Sequence, residues 1–280
     1  MQQVVLHTLL GKRWIRRVVT APFDCTTCVY CNSVGVLEDE HVLPFGLGGK
    51  LVLKRASCRA CAIETGRLEQ RLLRGQWWPY RKSLGIATRS KDYPRYRPAN
   101  LIPLAGEKRP VEVLSDEVPV VLFFDFDEPS ILADRIRPEA PFARQMLLKQ
   151  IKQGPSRVLE DSAMRRLLPW EKLEFPIHFD SHDVLRFIAK VAHCYAILQR
   201  GPNACEEYFL PSLILGKTDG ALTYVGNCST QLLKPKLPGN GLHAMFERNV
   251  GEFLVVDVQL FRDAGNPPPI YEAVVGRTPR

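Results

Sequence analysis

Four of the eight cysteines in this 280-residue chain form two pairs with the spacing of metal ligands. Cys28 and Cys31 make one C-x2-C pair, and Cys58 and Cys61 make the other. Two thiolates three residues apart on a tight turn can point at one ion, and a second such turn completes a four-coordinate shell. The pattern predicts a structural Zn²⁺ site held by these four cysteines.

The register of the first pair is open, because Cys25 precedes Cys28 by the same three positions. We favour Cys28 with Cys31, since the aromatic Tyr30 between them and the polar Asn32 after them suit a zinc knuckle. The three later cysteines are solitary. Among them, Cys194 lies in an apolar helical pattern and is expected in the core.

Between the two pairs, an acidic cluster ends directly at a histidine, in Glu40-His41, and Pro44 and the Gly48-Gly49 turn follow. A carboxylate can hold a hard divalent cation, and an imidazole can take a proton from water. Neighbours on a strand point to opposite faces, so Glu40 and His41 share a site only if the strand bends or ends here. The alternative is a surface histidine beside a charged turn.

Taken together, these motifs resemble the HNH endonucleases, in Cys28-x2-Cys31, Glu40-His41-Val42-Leu43-Pro44, Leu47-Gly48-Gly49 and Ser57-Cys58-x2-Cys61. The resemblance covers roughly residues 22–100. It implies a ββα-metal fold, a hairpin followed by a helix, and it implies phosphodiester cleavage. We therefore expect an α+β protein with a zinc-stapled ββα-metal domain at the N-terminus and a mixed α+β domain at the C-terminus.

The resemblance also implies residue roles. His41 would be the general base, Glu40 a ligand of catalytic Mg²⁺ or Mn²⁺, and the four cysteines the ligands of Zn²⁺. The asparagine that is common after the last cysteine of such proteins is Ala62 here. Glu69, on the helix expected after Cys61, is our candidate for the missing catalytic ligand, with Glu64 next. Either carboxylate could instead lie on the helix surface.

Positive charge is concentrated in the first part of the chain. Residues 1–110 contain 19 Lys and Arg against 8 Asp and Glu, whereas the whole chain has a net charge of +8. This asymmetry favours a polyanion-binding N-terminal part, although charge also serves solubility. The candidate phosphate-binding residues follow the second cysteine pair: Arg67, Arg71, Arg74, Arg81, Lys82 and Arg89. We expect the paired Trp77 and Trp78 to pack in the core.

Three segments are expected: residues 1–100 as the nuclease domain with its basic extension, 101–118 as a linker rich in proline and mixed charge, and 119–280 as an α+β domain. Within the last segment, the patterns predict a strand at 118–126, short helices at 139–153 and 156–168, a capped helix at 183–200, and paired strands at 251–262 and 269–276. His178, Asp180, His182 and Asp183 could bind a metal, but capping of the helix is favoured.

The sequence thus predicts a metal-dependent endonuclease that hydrolyses phosphodiester bonds. The alternatives are a non-catalytic zinc-ribbon protein that binds nucleic acid, and a DNA clamp that serves a partner nuclease. Double-stranded DNA is the expected substrate, with RNA left open, and a homodimer or a partner protein is also left open. The chain has no apolar run of about 18 residues and no signal-like start, so we expect a cytoplasmic protein without a membrane partner.

Overall fold

The computed structural model describes residues 19–86, 95–118, 120–133, 145–149, 157–160, 163–169, 171–175, 180–228, 241–262 and 268–279. These residues form a mixed α+β structure, as predicted. Position 89 lies outside the described residues, and so does position 178, so nothing follows for Arg89 or His178.

The N-terminal part contains a hairpin that leads directly into a helix. In chain order its elements are β1 (Val19–Asp24), β2 (Leu37–His41), a 3₁₀ turn (Phe45–Leu47), β3 (Leu51–Cys58), α1 (Arg59–Arg74) and α2 (Trp78–Ser83). The sheet order is β1-β3-β2, with β2 antiparallel and β1 parallel to β3. The predicted order of hairpin and helix is therefore present.

The connection between β2 and β3 depends on Gly48 and Gly49. Gly48 has a φ of 80° and ends the 3₁₀ turn in the left-handed region. A Cβ atom on Gly49 would lie 1.9 Å from the carbonyl oxygen of Leu43, so that no larger residue fits. Across the molecule, His243 Nε2 donates to the carbonyl of Leu47 at 3.0 Å and fixes the same turn from outside.

Helix α1 buries one stripe of its surface. Its buried residues recur at helical spacing, at Cys61, Thr65, Leu68 and Leu72. The helix begins after the extended residue Cys58 and ends at Gly75, whose N–H donates to the carbonyl of Arg71 at 2.9 Å. Because the second cysteine pair straddles the start of α1, the hairpin and the helix are joined at the cysteine cluster.

The middle of the chain is rich in strands. Its elements are β4 (Tyr96–Ile102), β5 (Arg109–Leu114), β6 (Val120–Asp125), α3 (Ser130–Ala133), β7 (Gln145–Lys149), β8 (Arg157–Glu160), β9 (Ala163–Arg166) and β10 (Lys172–Glu174). One antiparallel sheet has the order β10-β4-β5-β8-β9, and β6 pairs with β7. The strand predicted at 118–126 is confirmed as β6.

The residues expected as a linker, 101–118, include the end of β4 and all of β5. Leu101 of β4 and the alternate residues Val111 and Val113 of β5 are buried in a small apolar cluster. This period of two is the sequence signal of a strand. The helices predicted at 139–153 and 156–168 are wrong, since the described residues there form β7, β8 and β9. Short apolar runs do not distinguish a strand from a helix.

The C-terminal part places a long helix beside a sheet. Its elements are α4 (Ser181–Arg200), β11 (Glu207–Tyr208), α5 (Leu210–Ile214), α6 (Ala221–Tyr224), β12 (Val225–Asn227), β13 (Ala244–Val250), β14 (Phe253–Gln259) and β15 (Tyr271–Arg277). The sheet order is β11-β15-β14-β13, and β12 also pairs with β15. The predicted helix at 183–200 and the pairing of the last two strands are confirmed.

The residues before α4 cap the helix, which is the role that the sequence favoured over metal binding. The carboxylate of Asp180 accepts hydrogen bonds from the backbone N–H groups of His182 and Asp183 at 2.9 and 3.2 Å. Gly201 ends the helix with a φ of 87°. These residues therefore cap a helix, as an N-cap aspartate usually does.

One contiguous apolar core joins the two ends of the chain. It contains Tyr30 and Leu68 from the N-terminal part together with Phe187 and Tyr271 from the C-terminal part. Trp77 is fully buried, as expected, and its ring meets that of Phe187 edge-on at 5.1 Å between centroids. The expected boundary between a 1–100 domain and a 119–280 domain does not coincide with a break in this core.

We predict that Phe187→Ala lowers the free energy of unfolding by about 3–5 kcal/mol, because truncating a buried aromatic side chain leaves a cavity. Urea unfolding followed by circular dichroism measures this change. Leu104→Ala is the control, because Leu104 is 82% exposed and its truncation should change stability by about 0.5 kcal/mol or less. Equal effects of the two substitutions would contradict the packing of α4.

Candidate metal centre and adjoining cleft

The four predicted cysteines converge at one point of the hairpin. The Sγ atoms of Cys28, Cys31, Cys58 and Cys61 all lie within 4.8 Å of one another. Asn32 turns the chain after Cys31 with a φ of 57°, which is a conformation that asparagine tolerates. Cys25 is buried but lies outside this group, so the favoured register of the first pair is confirmed.

The spacing of the sulfur atoms fits a tetrahedral metal ion. The Sγ atoms of Cys31 and Cys58 are 3.7 Å apart. Metal–sulfur bonds of about 2.3 Å at tetrahedral angles would place pairs of sulfur atoms about 3.8 Å apart. The cluster could therefore hold a structural metal ion, with all four coordination positions filled by the chain.

Two of the four thiols, those of Cys58 and Cys31, have a pKa below the ordinary value for cysteine. The backbone N–H of Cys61, at the start of α1, lowers the pKa of Cys58 to about 6. The hydroxyl of Ser33 lowers the pKa of Cys31, whereas burial raises the pKa of Cys28. Since the thiolate is the form that binds metal, Cys58 and Cys31 are the first available ligands.

A cleft of about 320 Å³ opens between the end of β2 and the side of α1. Glu40, His41 and Glu69 all line it, so the structure brings the three predicted catalytic residues together. A bulge interrupts the β2–β3 pairing between Glu38 and Glu40, and β2 ends at His41. The strand therefore bends and ends at Glu40 and His41, which is the condition for these two neighbours to face the same site.

The second candidate on α1, Glu64, does not line this cleft. Its carboxylate accepts a hydrogen bond from Arg67 at 2.8 Å on the exposed side of the helix. Ala62 lines the cleft, but its side chain offers no ligand atom. Of the two carboxylates weighed for the missing position, Glu69 is thus the one placed beside His41.

A buried lysine that sequence reasoning missed lies between the two cleft carboxylates. Lys190, on α4, is fully buried, and its Nζ is 2.8 Å from Oε1 of Glu40 and 2.9 Å from Oε1 of Glu69. The second distance is that of an ion pair. The same Nζ donates hydrogen bonds to the carbonyls of His41 and, at 3.5 Å, Val42.

The pKa values of Lys190 and Glu40 depend on the charges around them. Burial alone would lower the pKa of Lys190, but the charges of Glu40 and Glu69 outweigh it and raise the pKa above the usual value. Lys190 is therefore protonated at neutral pH. Burial raises the pKa of Glu40, and the charge of Lys190 opposes that rise. An ammonium buried with two carboxylates is stabilised only as long as these partners remain in place.

This arrangement does not fit a divalent cation bound by Glu40 and Glu69. Carboxylate oxygens are suitable ligands for Mg²⁺ or Mn²⁺. However, one oxygen of each carboxylate already faces the ammonium of Lys190, and a second cation on the pair would lie next to a like charge. The expected metal-ligand roles of Glu40 and Glu69 therefore disagree with the geometry.

Two of the candidate phosphate-binding residues bind other parts of the protein, and one of them, Arg71, is still exposed. Arg71 donates from Nε and Nη2 to the carboxylate of Asp183, at 2.5 and 2.7 Å, and so ties α1 to α4. Arg81 is buried, lines the cleft, and donates to the carbonyls of Gly46 and Leu73. Both residues thus hold elements in place.

The remaining basic candidates lie nearer the surface. Arg67 and Arg74 are exposed on α1. Lys82 is half-buried, with its ammonium 5.6 Å from the ring centre of Trp78, and Arg97 lies at 4.1 Å from the same ring. Among the candidates that the structure describes, Arg67, Arg71 and Arg74 are exposed on α1, and Arg71 is ion-paired with Asp183.

Comparisons of the chain with protein-family models, with curated proteins and with solved structures found no match. Within the described residues, none of the helices combines the length and the apolar character that crossing a membrane requires. The structure thus defines a mixed α+β protein with a four-cysteine cluster that could hold a metal ion.

We predict that the purified protein contains one tightly bound metal ion per chain, because the four sulfur atoms already have the spacing of a tetrahedral site. Elemental analysis after extensive dialysis measures it. Cys31→Ser should abolish the bound metal, whereas the matched control Cys25→Ser should retain it. Retention in Cys31→Ser with loss in Cys25→Ser would assign the ligands to the other register.

Proposed function

We propose that this protein is an endonuclease of the HNH type, which hydrolyses phosphodiester bonds of DNA in the cleft beside α1. The observation that carries the proposal is the position of His41 with Arg81 in one cleft, formed by a hairpin and the helix that follows it. The adjoining four-cysteine cluster supports it, because such clusters fix a hairpin to a helix.

The identity of the structural metal follows from its ligands. Four thiolates in tetrahedral spacing suit Zn²⁺, and they leave no open coordination position for a substrate. When bound, Zn²⁺ would stabilise the fold by joining the turn at Cys28 and Cys31 to the start of α1. Catalysis must then come from the neighbouring cleft.

His41 is the proposed general base. Its side chain lines the cleft and is only partly buried, so water can reach it. An imidazole ordinarily titrates near neutral pH, and a positioned base contributes about 10²–10⁴-fold to a hydrolysis rate. Arg81 adds a fixed positive charge to the wall of the same cleft, where the phosphate of a substrate would lie.

Binding of nucleic acid would start from the exposed face of α1. Arg67 and Arg74 lie on the same helix as the cleft residue Glu69. Cations on this exposed face can contact the phosphates of a bound duplex without reading its sequence. The excess of positive charge in residues 1–110 supports the same assignment.

One observation favours a second candidate function, a zinc-containing protein that binds nucleic acid without cleaving it. Lys190 neutralises the carboxylates that would otherwise hold a catalytic cation. Under this alternative, the wild-type protein binds duplex DNA and leaves plasmid intact at every Mg²⁺ or Mn²⁺ concentration. Under the endonuclease proposal, it converts supercoiled plasmid to nicked or linear products.

We predict that His41→Ala lowers the rate of plasmid cleavage by about 10²–10⁴-fold, since water loses its base. The metal content, the unfolding midpoint and the affinity for DNA should stay near those of the wild type. His182→Ala, at the start of α4, is the matched control and should cleave normally, because His182 does not line the cleft. Cleavage by His41→Ala at the wild-type rate would overturn the assignment of the base.

We predict that Arg67→Gln/Arg74→Gln weakens binding to all duplex sequences alike. The slope of log affinity against log salt concentration should fall by about two units, roughly one for each lost phosphate contact. Fluorescence titration of labelled duplexes at several salt concentrations measures it. The control is Lys172→Gln/Lys217→Gln, which removes the same charge from exposed positions on other elements. Equal slopes for the two double variants would place the DNA elsewhere.

A further inference from the structure

We infer that the ammonium of Lys190 occupies the cation position between Glu40 and Glu69, so that this carboxylate pair is filled by the chain's own lysine and takes up no divalent metal. The inference stands on the ion-pair geometry and does not depend on the nuclease proposal. It assigns to α4, an element far away in the sequence, the positive charge that the HNH resemblance assigns to Mg²⁺ or Mn²⁺.

The first argument is that both charge partners and hydrogen-bond acceptors surround Nζ of Lys190. Carboxylate oxygens of Glu40 and Glu69 lie 2.8 and 2.9 Å away as ion pairs. The carbonyls of His41 and Val42 accept hydrogen bonds from the ammonium, which has donors only. The lysine side chain is 0% exposed, so water does not compete for these positions.

The second argument is that α4 cannot easily withdraw its lysine. Asp183, two turns before Lys190, holds Arg71 of α1 in a bidentate ion pair at 2.5 and 2.7 Å. Cys194, one turn after it, forms a 3.2 Å hydrogen bond with the hydroxyl of Tyr30. These contacts on both sides of Lys190 fix the helix against the hairpin and α1.

His193, next to Cys194 on α4, provides a third contact. His193 donates from Nε2 to the carbonyl of Val29 at 2.8 Å, inside the turn that carries the first cysteine pair. The helix is therefore attached to the cysteine turn, to the end of β2 and to α1 at once. A metal ion that displaced the ammonium would leave a fully buried charge without its partners.

The fourth argument concerns charge. Two carboxylates and one ammonium leave a single net negative charge in the buried group, whereas two unpaired carboxylates would leave two. A divalent cation would enter within about 4 Å of a like charge that cannot move away, and such repulsion is strong where water is excluded. Removing the lysine charge should therefore turn the pair into a cation site.

The test uses the full-length protein with its cysteine cluster loaded, and Mn²⁺ as the probe. Electron paramagnetic resonance of free Mn²⁺ gives the number of ions bound per chain. We expect the wild type and Glu69→Gln to bind the same number, because no ion rests on Glu69. Glu64→Gln, on the exposed side of the same helix, is the control for surface binding.

Lys190→Met should bind one Mn²⁺ more than the wild type, and Lys190→Met/Glu69→Gln should lose that ion. If Lys190→Met does not fold, the comparison of the wild type with Glu69→Gln still decides. One Mn²⁺ bound by the wild type, lost in Glu69→Gln and kept in Glu64→Gln, would overturn the inference. A folded Lys190→Met variant without the additional ion would overturn it too. Absence of plasmid cleavage would defeat the nuclease proposal without altering these counts.

Discussion

A charged ammonium in an apolar core imposes the strictest constraint on this structure. Lys190 lies in the middle of a helix whose neighbouring residues are almost all buried and apolar. An unpaired charge at such a position would cost several kcal/mol, and removing one partner of a buried pair typically costs about 3–5 kcal/mol. The end of β2, the side of α1 and the middle of α4 must therefore keep fixed positions relative to one another, so that the partners of Lys190 stay within reach of its ammonium.

The cysteine cluster provides a second constraint, which is local. A three-stranded sheet and one helix bury little apolar surface, and small units of this kind commonly need a metal or a partner. Here the cluster joins the turn at Cys28 to the start of α1, while α4 contacts the same turn through Tyr30 and Val29. The hairpin is thus held both by its own thiols and by the C-terminal part of the chain.

The features predicted correctly from the sequence are those that local spacing determines. The two C-x2-C pairs, the helix after Asp180 and the last two strands depend on residues close together in the chain, so their patterns are legible. The convergence of Glu40 and Glu69 was also predictable, because a helix after the second cysteine pair must turn one face toward the hairpin. The roles of these residues in catalysis stay predictions.

The features that were missed depend on contacts distant in sequence. A lysine in an apolar stripe was the available signal for Lys190, but its two partners lie 121 or more positions away. Arg71 and Arg81 looked like phosphate ligands because composition shows charge and not the partner that satisfies it. The strand β5 resembles a linker in sequence because Pro110 and its charged residues surround the short alternation of Val111 and Val113.

The coupling between Lys190 and Glu69 tests the central claim most directly. A double-mutant cycle with Lys190→Met, Glu69→Gln and the combined variant, measured by equilibrium unfolding of the metal-loaded protein, isolates this interaction. The account predicts a coupling energy of about 0.5–3 kcal/mol, with the double variant more stable than the sum of the single losses implies. Additivity within about 0.3–0.5 kcal/mol would contradict the claim that this buried ion pair holds α4 to the candidate site.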